Sequence, residues 1–77
     1  MRLVDAVYER MMQLLQQQGI TLYRLAMNGG IPYSTLSTMQ KSQTVTLATV
    51  YAICIGFGMT LSQFFDSDLF AEEAVSD

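Results

Sequence analysis

The chain has no histidine, one cysteine, one proline and only four lysines and arginines among its 77 residues. Each shortage excludes something. With Cys54 alone and no histidine, neither an internal disulfide nor a Cys/His zinc site can form. The lone thiol lies in an apolar stretch, which fits a core position in a reducing cytoplasm. A hydrophobic fraction of 51% argues against intrinsic disorder. No apolar run approaches the ~20 residues of a membrane span. The opening MRLVDAVYER carries Asp5 and Glu9 and has no apolar segment of the signal-peptide kind. Five of the seven carboxylates fall in the last twelve residues, so no acid–base constellation appears and neither an enzyme nor a cofactor is expected.

Charge is also unevenly placed. The net charge is −3, yet residues 1–65 hold Arg2, Arg10, Arg24 and Lys41 against Asp5 and Glu9, a balance of +2. Residues 66–77 hold Asp66, Asp68, Glu72, Glu73 and Asp77, a balance of −5. The acidity belongs to the end of the chain, and the body is weakly basic. This divides the chain into one folded domain over residues 1–66 and an acidic, mobile tail over residues 67–77. A domain so small buries only ~60–65% of its unfolded surface. The six methionines are read as core filler rather than a ligand groove.

Periodicity and punctuation predict five short helices. Val4, Val7, Met11, Leu14 and Leu15 form an apolar stripe over Leu3 to Gln18, closed by Gly19. Thr21 caps a second helix over Leu22 to Asn28, with Leu22, Leu25 and Ala26 inward and Gly29 and Gly30 at its end. Pro32 opens a third helix reaching Gln40, anchored by Leu36 and Met39. Thr46 caps a fourth helix over Leu47 to Phe57, with Leu47, Val50, Ile53, Cys54 and Phe57 inward. Thr60 and Gln63 have capping-box spacing for a fifth helix beginning at Leu61.

The second and third helices, joined by a glycine-containing turn, form a helix-turn-helix pattern over residues 21–40. Ala26 must be small where the helices cross, Gly30 supplies a turn angle that a side chain resists, and Leu36 pins the second helix to the core. The stretch TLYRLAMNGGIPYSTLSTM resembles the helix-turn-helix of the Cro/lambda-repressor-like transcriptional regulators, the xenobiotic-response-element-type family. LATVYAICIGFGMTLSQFF is similar to that family's fourth and fifth helices, and the likeness covers about residues 8–66. It implies a compact all-α, five-helix lambda-repressor-like domain acting as a transcriptional regulator, a repressor, on double-stranded DNA as a homodimer.

By the same resemblance, helix 32–40 enters the major groove and Tyr33, Ser34, Ser37 and Thr38 face base edges. Thr35 lies toward the backbone side, and Arg10, Thr21, Lys41, Thr44 and Thr46 are the further candidates for phosphate contact. The strong bidentate base readers are absent, so hydroxyl contacts, thymine-methyl packing, water and DNA shape would share the discrimination. Three positions depart from the family pattern. Leu22 stands where a glutamine often touches phosphate. Gln40 stands where an acid often pairs with the first helix's arginine, which leaves Arg10 to reach phosphate or be solvated. Lys41-Ser42 replaces a glycine after the recognition helix.

Ile55 occupies a position where similar sequences often place a polar residue, and with Phe57 and Met59 it forms a candidate dimer patch. A competing reading keeps the fold and drops DNA, giving a protein-interaction module of antitoxin or anti-repressor type. The surface around Tyr33 to Thr38 discriminates the two: neutral or positive for DNA, negative or apolar for a protein partner.

Overall fold

The computed structural model describes residues 1–76. Among them are five α-helices and two single 3₁₀ turns, with no strand: α1 (Leu3–Gln18), α2 (Leu22–Gly29), α3 (Tyr33–Ser37), α4 (Leu47–Phe57) and α5 (Leu61–Phe65). The 3₁₀ turns are Met39–Lys41 and Asp68–Phe70. The expected all-α class holds.

Helix ends follow local chemistry. Thr21 Oγ1 accepts the Arg24 N–H at 3.1 Å, and Thr46 Oγ1 accepts the Thr49 N–H at 3.2 Å. Thr60 and Gln63 complete a reciprocal capping box, at 3.1 and 2.9 Å. At the other end of α2, Gly30 takes φ +66°, and the Ile31 N–H reaches back to the Ala26 carbonyl at 2.9 Å. That left-handed geometry lets the chain leave α2 and enter α3 within three residues.

The core is formed by α1's stripe (Val7, Met11, Leu14, Leu15) together with Leu25, Ala26, Leu36, Met39, Val50, Ile53, Cys54, Phe57 and Phe64. No polar or charged side chain is buried among the described residues. Burial pushes the Cys54 thiol above its ordinary pKa, as expected for a packed side chain whose charged form is disfavoured.

The crossing of α2 and α4 depends on two glycines. A Cβ on Gly56 would stand 2.9 Å from the Leu25 carbonyl oxygen and 3.2 Å from the Gly29 nitrogen. One on Gly29 would stand 2.5 Å from the Ala52 carbonyl oxygen. Backbone therefore lies against backbone here, and this contact sets how α2 presents the turn and α3.

Three expectations are corrected. The third helix does not run from Pro32 to Gln40: it stops at Ser37, and Thr38 sits at φ −111°, ψ 5°. The Thr38 hydroxyl and N–H both donate to the Ser34 carbonyl, at 2.6 and 3.1 Å, and such back-bonding competes with a regular helix. Leu47 is not inward but 64% exposed. Packing also continues past residue 66. Phe70 returns on the second 3₁₀ turn to meet Phe65 edge-on, with ring centroids 4.8 Å apart, and Phe64 at 6.0 Å. Farther on, the Ser76 N–H donates to the Met1 carbonyl at 3.0 Å.

Candidate nucleic-acid interface

The construction of the turn decides what α3 can show to solvent. Ala26 is 2% exposed and Leu36 is fully buried, so α3 is fixed along one side. Tyr33, Ser34, Thr35, Ser37 and Thr38 are consequently all exposed. The structure therefore brings the four expected base-facing residues onto one side of a short, well-anchored segment.

Their hydroxyls are partly committed. Ser37 Oγ and Thr38 Oγ1 both donate to the Ser34 carbonyl, at 3.4 and 2.6 Å. Held in this way, each oxygen turns lone pairs outward and is available as an acceptor. Tyr33 is 48% exposed, and its ring lies 6.1 Å from that of Tyr23 at a tilt of 49°. Tyr23, on the first turn of α2, is itself 61% exposed. The pair spans the mouth of the helix-turn-helix. No sequence periodicity links residues 23 and 33; only the reversal at Gly30 makes them neighbours.

The cations have been redistributed relative to expectation. Arg10 is not free for phosphate: its Nε and Nη2 donate to the Phe64 and Gln63 carbonyls at 2.7 and 2.8 Å. At the end of α5 the Gln63 carbonyl takes the Asp66 N–H at 3.3 Å, and the guanidinium adds a donor to it and to the Phe64 carbonyl. Arg2, for which the sequence suggests no role, pairs with Asp5 and reaches the Gln40 carbonyl at 3.0 Å. Lys41, on the turn that follows α3, and Arg24, on α2, make no side-chain hydrogen bond or ion pair among the described residues, and both are exposed. Arg24 could have been singled out from sequence, since its position in the first turn of α2 follows from the Thr21 cap.

Thr21 and Thr46 cap α2 and α4 as described, and Thr44 lies exposed in the loop between the Met39–Lys41 turn and α4. No carboxylate occurs between Glu9 and Asp66. The whole helix-turn-helix and α4 therefore carry only Arg24 and Lys41 as formal charges, and the face around Tyr33 to Thr38 is neutral to positive.

The expected dimer patch is also redrawn. Phe57 is 7% exposed and belongs to the core, and Met59 is half-buried against it. Ile55 is 52% exposed, as expected. Its companions are Leu47 and Tyr51, spaced four residues apart along α4 and both more than half exposed. Among the described residues no cluster of three His, Cys, Asp or Glu could hold a metal, and no helix is long and apolar enough to cross a membrane.

Comparison with known proteins agrees with this architecture. A family model described as "Cro/C1-type HTH DNA-binding domain" matches residues 10–68. No curated protein and no solved structure matches the chain.

Proposed function

The chain belongs to the Cro/C1-type helix-turn-helix DNA-binding family, and from that premise we propose that it is a sequence-specific transcriptional regulator that reads the major groove of duplex DNA as a homodimer. The observation that carries this reading is the face of α3 and its C-cap Thr38: anchored from below by Leu36, exposed at Tyr33, Ser34, Ser37 and Thr38, and free of carboxylates. A protein-binding module would be expected to present an acidic or apolar face there.

In this reading Ser37 and Thr38, with their protons directed at the Ser34 carbonyl, accept hydrogen bonds from the exocyclic amines of adenine or cytosine. Ser34 keeps both donor and acceptor capacity. Tyr33, braced by Tyr23, packs against a thymine methyl or a sugar. Thr35, Lys41 and Thr44 lie toward the phosphates, as do the first amides of α2 and α4 beside Thr21 and Thr46. Arg24 joins this set and Arg10 leaves it.

Leu47, Tyr51 and Ile55 form the dimer face, since a symmetric partner would cover an uncharged stripe without placing like charges together. Repression follows as the simplest output: one domain sitting on a site excludes other proteins from it. With Arg24 and Lys41 as the free cations, a dimer neutralising about four phosphates would show a salt slope of about −3.6.

The test is selection from random duplex DNA at low and moderate salt. Enrichment of a two-fold symmetric sequence, with half-sites about one helical turn apart, is expected. No enrichment at either salt would remove the DNA reading and favour the interaction module.

A further inference from the structure

α3 is only five residues long, and the segment carrying Thr38 to Ser42 continues as a single 3₁₀ turn. That turn holds itself by two backbone bonds, Lys41 N–H to the Thr38 carbonyl at 3.0 Å and Ser42 N–H to the Met39 carbonyl at 3.1 Å. A 3₁₀ turn is a weak device for placing a side chain. Buried Met39 pins the turn from below and Thr38 bonds back to Ser34, but neither holds the exposed side where Lys41 lies.

Arg2 reaches it from the start of α1. Its Nη2 donates to the Gln40 carbonyl at 3.0 Å and its Nη1 lies 3.4 Å from the Ser42 carbonyl, the two carbonyls on either side of Lys41. The other edge of the guanidinium is held by Asp5, at 2.9 Å from Nε to Oδ2 and 3.1 Å from Nη2 to Oδ1. Asp5 lies in the first turn of α1, so its carboxylate is steadied by the helix itself. The planar fork thus joins a fixed helix end to the exposed side of the turn, which a point-charge lysine could not do. Because the pair is half-exposed, it adds little to stability. What it offers is placement.

We propose that Arg2, oriented by Asp5, is a positioning residue for DNA binding: it holds the turn after α3 so that Thr38 and Lys41 meet the duplex in one register. The proposal rests on the DNA reading above, and the test separates the two. Amide exchange at Lys41 and Ser42 is measured on the free full-length chain, and affinity is measured against the duplex selected from the random library. Arg2→Gln is expected to speed exchange at both amides about tenfold and to weaken binding about tenfold, with an unchanged urea midpoint. Arg2→Lys keeps the charge and is expected to recover less than half of the loss on a logarithmic scale.

Asp5→Ala is the decisive variant. It raises the net charge by one, so charge alone predicts tighter binding, whereas loss of the clamp predicts binding about threefold weaker. Unchanged exchange in Arg2→Gln, or wild-type or tighter binding by Asp5→Ala, would overturn the proposal. A wild-type chain that selects no duplex overturns the DNA reading and with it the DNA role of Arg2; the exchange measurement then decides separately whether Arg2 holds the turn.

Discussion

On α3 and its C-cap the outward residues are Tyr33, Ser34, Thr35, Ser37 and Thr38, one phenol among small hydroxyls; on α4 the large outward residues are Leu47, Tyr51 and Ile55, mostly apolar. Both helices are pinned by buried aliphatic residues on the opposite side, Leu36 in one case and Val50 and Ile53 in the other. Neither outward face carries a formal charge. The hydroxyl face is at ease in water and suits a hydrated, hydrogen-bonding partner. The apolar stripe gains only when it is covered. Partner class is read from the chemistry of an exposed face, after burial has decided which face is exposed.

The hydroxyl face depends most on the anchor of α3. Leu36→Ala removes a fully buried side chain and should cost about 2–5 kcal/mol of stability, measured by urea denaturation. DNA binding should be lost with it, because α3 has little else holding it. A variant with full stability would show that α3 is held by other contacts.

Ile55→Glu tests the other face. It should leave monomer stability within about 0.5 kcal/mol, as for an exposed site, and weaken self-association at least about tenfold by sedimentation. Affinity for a symmetric site should fall while half-site binding persists. Unaltered self-association would move the dimer face elsewhere.

Ser34→Ala and Ser37→Ala should each relax discrimination at one base position by about fivefold with little change in non-specific affinity, as read by competition with mismatched duplexes. Lys41→Ala should do the reverse. It should weaken all sequences alike and reduce the salt slope by about 1 per chain. If the slope were unchanged while binding fell, Lys41 would not be a phosphate contact.

The smallest effect concerns Asp5. Hydrogen bonding to Arg2 holds its carboxyl below the ordinary value of 3.8. A depressed carboxyl stabilises the folded state above the unfolded-chain pKa, and that contribution disappears as pH falls through the lower, folded value. Asp5→Ala should therefore flatten slightly the acid limb of stability below about pH 4, as followed by thermal melts between pH 2 and 6. A limb identical to wild type would show that Arg2 exerts no net effect on Asp5.

Most helix boundaries were legible because their signals are local. Thr21, Thr46 and Thr60 bond to amides three residues away, and Gly30 turns the chain at its own φ. The end of α3 was misplaced because Met39 keeps the apolar spacing of a continuing helix, while the Thr38 hydroxyl diverts the backbone. Leu47 was misplaced because, as the first residue of α4, its direction depends on where α4 docks. Arg10 and Arg2 exchanged expectations for a long-range reason. The carbonyls they meet lie 54 and 38 residues away, and no spacing rule reaches that far; only the Arg2–Asp5 pair, three residues apart, is local.

The sequence alone determined an all-α chain of five helices, a helix-turn-helix at 21–40, a body poor in charge and a face on α3 made of hydroxyls, since each follows from residue type and near-neighbour bonding. Tertiary structure decided which cations remain free, which apolar residues stay outside, and how close α2 and α4 approach through Gly29 and Gly56. Those outcomes depend on contacts between segments far apart in the chain. Which carbonyl a guanidinium meets, or which face a neighbouring helix covers, exists only once the helices have packed.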